Sequence, residues 1–173
     1  MKSPLLQKLK SDFEKNKKSF RLFISRTENK LNEGHSALMD EVEKNVWKNT
    51  DCLSCANCCK SMSPTYTNAD ILRISKFLGM STYAFKKKWL YFDKKSRDWM
   101  NVSRPCQFLD LKTNMCSVYE VRPADCAGFP HLTKKPFGDY FYIHKQNIEY
   151  CPATYSMIER LKNIVHEKGL ETK

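Results

Sequence analysis

The chain has 173 residues, of which 41% are hydrophobic and 12% aromatic, with only five glycines. That length and composition suit one globular domain with room for an appended arm, and exclude a collagen-like or loop-dominated chain. Thirty basic against nineteen acidic residues leave a formal charge of +11, which favours an anionic partner such as nucleic acid, although lysine-rich stretches such as 8–18 and 86–88 also read as solvated helix faces.

The first eight residues, Met1 to Lys8, lack the apolar core of a secretory signal. No stretch approaches the roughly 18 apolar residues of a membrane helix. A cytoplasmic, reducing setting is therefore expected, in which clustered thiols serve metals rather than disulfides. From Leu5 to Leu31 the residues Leu6, Leu9, Phe13, Phe20, Ile24 and Leu31 draw a stripe along one helix face. Gly34 punctuates that helix, and Leu38, Val42 and Val46 mark a second one running to about Trp47. The stripe must be covered, either by the rest of the chain or in a homo-oligomer through these N-terminal helices.

A cysteine run follows in a turn-forming context and is expected to be a loop. Thr67 with Asp70 forms a capping-box pattern, after which Ile71, Leu72, Ile74, Phe77 and Leu78 continue a short helix ended by Gly79. Ser81 caps another short helix carrying Tyr83, Phe85, Trp89 and Leu90. From Asp93 to Ile143 the periodicity fades into short strands or irregular segments, including 106–109, 115–119 and 140–143. Beyond Cys151-Pro152, Tyr155, Ile158, Leu161, Ile164 and Val165 repeat at helical spacing, and this terminal helix ends near Lys168-Gly169.

The chemistry lies in the cysteines. Cys52, Cys55, Cys58 and Cys59 form the run CxxCxxCC, and Cys106, Cys116, Cys126 and Cys151 follow downstream. Thiolates repel one another, so several converging on one point call for a cation or cluster to neutralise them. The spacing of Cys52, Cys55 and Cys58, with a distant Cys151-Pro152, parallels the bacterial ferredoxin pattern for a four-iron, four-sulfur cluster. Structural zinc uses the same ligands, but its usual second CxxC pair is missing from this sequence. His131 is a candidate auxiliary ligand. Arg122 is placed to offset thiolate charge, or to pair with Glu120 or Asp125. The division of eight thiols between one site and two stays open, as does the substrate of any enzyme that would use Asp125, Arg122, Tyr119 or His131.

Taken together, 52-CLSCANCC-59, 105-PCQFL-109, 116-CSVYEVRPADC-126 and Phe129-Pro130 resemble the YkgJ-type CxxCxxCC family of zinc- or iron-chelating proteins. The resemblance covers roughly residues 50–155. It implies metal binding through these cysteines. Flagellin lysine methylases carry a similar arrangement associated with an iron–sulfur cluster, which tilts the expectation toward a 4Fe-4S cluster over zinc; methylation itself would rest on analogy. The resulting expectation is a mainly α fold with short β or irregular segments (α+β) organised around the cysteine site. An N-terminal helical arm, 1–48, precedes a metal-binding domain, 49–173. The competing expectation is a zinc-stabilised module for an anionic partner such as nucleic acid.

Overall fold

The computed structural model describes residues 4–27, 36–131 and 140–169. In chain order the elements are α1 (Pro4–Thr27), α2 (Ser36–Trp47), α3 (Cys52–Cys55), α4 (Asn57–Ser61), β1 (Thr65–Tyr66), α5 (Asn68–Phe77), α6 (Thr82–Trp89), β2 (Leu90–Asp93), β3 (Asp98–Asn101), α7 (Ala124–Gly128), α8 (Phe141–Tyr150) and α9 (Pro152–Glu167). The architecture is mainly helical with one small antiparallel sheet, as expected. It divides into two compact units, one from Met1–Asp51 and Pro130–Lys173, the other from Cys52–Phe129.

The first unit is a helical bundle. Leu9, Phe13, Phe20, Phe23 and Ile24 line the buried face of α1, and that face packs on α8 and α9, while α2 also packs on α9. Among the described residues the N-terminal stripe from Leu9 to Ile24 is thus covered within the chain. Leu31 and Gly34, expected to extend and end the first helix, lie outside the described residues. On α9 the residues Met157, Ile158, Leu161 and Val165 are completely buried, and Pro152 opens that helix at a position where its missing N–H costs nothing.

Residues 140–143, expected to be strand or irregular, instead open α8. The inward positions of this helix are His144, Asn147 and Ile148, spaced three and four apart, but two of the three are polar, so a hydrophobic count along the sequence misses the period. Asn147 donates to the Pro130 carbonyl at 3.4 Å. Burial, and then the nearby His131, lower the His144 pKa to about 4, so this imidazole is neutral in the fold at physiological pH. The unfolded chain takes up its proton near the ordinary value of 6.5, and stability is therefore lost as pH falls from about 6.5 to about 4, by about 3 kcal/mol in all. Chemical denaturation of His144→Leu should give a flatter stability profile over that interval than the native sequence.

The second unit builds its core from Tyr66, Ile71, Ile74, Phe85, Leu90, Phe108 and Val118. Thr67 and Asp70 form the expected reciprocal capping box at the start of α5, and Ser81 accepts from the Ala84 N–H at 3.1 Å to start α6. Leu72 and Phe77 of the expected apolar set are exposed, because only Ile71 and Ile74 lie on the face of α5 turned to the core. The sheet has the order β1-β3-β2, with Tyr66 opposite Trp99 and Leu90 opposite Asn101. Phe85 and Phe108 stack in parallel at 6.2 Å, and Trp89 tilts onto Phe108 at 5.5 Å. Cys106 and Cys116 pack against this aromatic cluster. No helix among the described residues is long and apolar enough to cross a membrane.

Candidate metal centre

The cysteine run is not a plain loop. It forms two short helical turns, α3 and α4, separated by Ala56 in the left-handed region at φ 47°. For a residue with a Cβ that conformation costs on the order of 1 kcal/mol; it ends one turn and starts the next, so that the run does not continue as one helix. The Ala56 N–H still bonds to the Cys52 carbonyl at 2.9 Å. Cys52 is exposed, whereas Cys55, Cys58 and Cys59 are half-buried.

Cys59 is the point at which the downstream Cys106 segment joins the run. Its carbonyl accepts from the Cys106 N–H at 2.8 Å, and its Sγ lies 3.9 Å from that of Cys58. Cys106 leads into a tight reversal in which Leu109 pairs with Cys116 and the Ser117 N–H bonds to the Phe108 carbonyl at 2.8 Å. That reversal returns Cys116 to the side of Cys106. Cys126, on α7, follows a segment pinned at two points: the Asp125 carboxylate accepts from the Thr65 N–H at 3.0 Å, and the Ala124 N–H donates to Asp70 at 3.0 Å.

These four thiols feel one another. Burial raises the pKa of Cys106, Cys116 and Cys126, and Cys59 raises each of them further. Cys126 is pushed up by Cys106 and Cys116 as well. Cys59 itself moves the other way, because of its hydrogen bond with Cys58 and the nearby charge of Lys60. The cost of charging such a set together is what a bound cation removes. A soft, all-sulfur donor set drawn from four backbone segments fits zinc or an iron–sulfur cluster. Among the described residues no three His, Cys, Asp or Glu side chains are gathered tightly enough to hold an ion as they stand, so ligation requires the side chains to close further.

Around the thiols lies a polar frame. Buried Asn101 donates from Nδ2 to the Cys106 Sγ at 3.3 Å. Its Oδ1 accepts from the Tyr66 hydroxyl at 2.6 Å and from Gln107 Nε2 at 2.9 Å. Two donors on Oδ1 leave the amide only one orientation, with its N–H groups toward sulfur. Arg122 lies over the Tyr119 ring at 4.0 Å, donates to the Tyr119 carbonyl at 2.8 Å, and its charge offsets a small part of the rise that burial gives the Cys116 pKa. Nothing in the sequence pointed to Asn101, since an asparagine five residues before a cysteine is no motif.

Two of the named candidates lie in the other unit. Cys151 is buried at the start of α9, and His131 is buried beside Pro130 with a φ of 67°. None of the eight cysteines is in a disulfide.

The sequence profile of the CxxCxxCC family, described as "Putative zinc- or iron-chelating domain", matches residues 51–152. The chain is also 32% identical over 106 residues to the uncharacterized protein MJ0661 of Methanocaldococcus jannaschii. That match takes in 60% of this chain and 57% of the relative, so the chain spans little more than half the length of the curated relative it matches. No solved structure matches.

Proposed function

The chain belongs to the CxxCxxCC family, and from that premise we propose that it chelates iron as a 4Fe-4S cluster on Cys59, Cys106, Cys116 and Cys126. What supports this reading is the Cys106 to Cys59 backbone bond and the pairing of Leu109 with Cys116, which set three of the thiols on neighbouring segments, with Cys126 on α7 held by the bonds of Asp125 and Ala124. Cys55 and Cys58 lie on the same run as Cys59, Cys52 at its exposed start, and Cys151 in the helical unit. When bound, a cluster of this kind supplies one-electron redox chemistry. The role of this chain's own residues is to hold the thiols, shield them with the Phe108 and Val118 core, and direct N–H groups and positive charge at sulfur.

The test is elemental analysis with a visible spectrum on protein purified without oxygen. Brown protein with iron and acid-labile sulfide is expected. Colourless protein carrying one zinc per chain would overturn the cluster and leave a zinc-stabilised module in its place.

Asn101→Ala should weaken metal retention about tenfold in a chelator competition, the scale found for residues that orient metal ligands. Unchanged retention would mean that the Asn101 to Cys106 hydrogen bond is incidental to the site.

A further inference from the structure

The segment from α6 through β3 exposes a second chemistry that the thiols do not use. Residues 82–101 carry six basic side chains, Lys86, Lys87, Lys88, Lys94, Lys95 and Arg97, against two acidic ones, Asp93 and Asp98. Among the described residues none of the six is in an ion pair. Asp93 is engaged in its own turn, accepting from the Lys95 N–H at 3.0 Å and from the Ser96 hydroxyl at 3.1 Å.

Aromatic rings stand among these charges. Phe92, on the edge strand β2, is 46% exposed and meets Trp99 of β3 edge-on at 5.3 Å. Lys86 Nζ lies 4.7 Å from the centre of the same Trp99 ring. On the other face of the hairpin Tyr91 is 43% exposed. Exposed aromatic rings set in unpaired positive charge match the two things a single strand presents, an unstacked base and a phosphate. A base and its phosphate belong to one nucleotide, so Phe92 and the Lys86 ammonium, both set against the half-buried Trp99, can engage the same nucleotide. A duplex hides its base faces. A bilayer would have to be entered by the hairpin tip, which is Lys94-Lys95-Ser96-Arg97 and carries no apolar side chain to insert.

We propose that the face built by α6, β2 and β3 binds single-stranded nucleic acid, with Phe92 stacking on a base and the surrounding lysines and Arg97 following the phosphates. This assignment is independent of which metal the thiols hold.

The experiment is fluorescence anisotropy of the full chain with labelled single-stranded RNA and DNA of about 10 nucleotides, at about 50 mM and about 200 mM salt. Binding is expected at the lower salt, to weaken at the higher, and to exceed that of a duplex of equal length. Phe92→Ala should weaken it by about fivefold or more. Combined Lys86→Glu, Lys87→Glu and Lys88→Glu should weaken it by more than about tenfold and flatten the salt dependence. Both variants alter exposed or partly exposed side chains, and unchanged circular dichroism checks their folding. Absence of binding at low salt would overturn the proposal. So would wild-type affinity in a folded Phe92→Ala variant, or capture of anionic phosphatidylserine vesicles without binding of either oligonucleotide.

Discussion

Replacing Cys126 with serine is expected to reduce bound metal to less than about one tenth of the wild-type content, and to destabilise the second unit together with it. Burial pushes the Cys126 thiol up, and Cys59, Asp125, Cys106 and Cys116 add to the rise. A serine hydroxyl is harder than a thiolate, ionises far less readily, and offers a soft metal little. Cys52→Ser provides the contrast, because Cys52 is exposed at the edge of the run, and it should keep most of its metal. Metal per chain by elemental analysis, followed by thermal unfolding with and without a chelator, reads both effects. Full metal in the Cys126 variant alongside metal loss in the Cys52 variant would move the centre toward the ferredoxin-like ligands Cys52, Cys55 and Cys58.

Asp70→Asn should lower the stability of the second unit by about 2–4 kcal/mol and its Tm by more than about 10 °C. The carboxylate is buried and each oxygen takes two donors. Oδ2 accepts from the Thr67 N–H at 3.0 Å and the Thr67 hydroxyl at 2.7 Å, and Oδ1 accepts from Arg73 at 2.7 Å and the Ala124 N–H at 3.0 Å. Whichever way an asparagine amide turns, its own N–H groups face two of these donors. The same residue thereby caps α5 and pins the start of α7, two residues before Cys126, so metal retention should fall with stability.

The acid dependence of Asp70 has a definite sign. Burial disfavours its charge, but the bonds from Thr67, Arg73 and Ala124 outweigh burial and hold the pKa below the ordinary 3.8. Its contribution is therefore complete above that value and lost as pH falls through the more acidic folded pKa. Unfolding of Asp70→Asn followed from about pH 5 downward should lack this component of the acid slope. An identical slope in the two proteins would assign the acid sensitivity to other groups.

Local chemistry was legible in the sequence wherever a short-range interaction decides it. The capping box at Thr67 and Asp70, the Ser81 cap and the helix after Pro152 depend on residues three or four apart, and the structure has all three. The helix α8 was hidden because His144 and Asn147 occupy its inward positions. The left-handed turn at Ala56 was hidden as well, since alanine is a good helix former and gives no warning of a break.

By itself the sequence determined the list of thiols, the family, the mainly helical class and the excess of positive charge, because each of these is a property of residue type and spacing. Only the tertiary structure decided that the Cys106 N–H bonds to the Cys59 carbonyl and that a reversal pairs Leu109 with Cys116, contacts that no local periodicity records. It also decided that α8 and α9 cover the N-terminal stripe, and that Asn101, held by Tyr66 and Gln107, turns its amide toward sulfur. A side chain's partner across the fold is set by how whole elements pack, and the residues that bring Asn101 to Cys106 are spread from Tyr66 to Gln107.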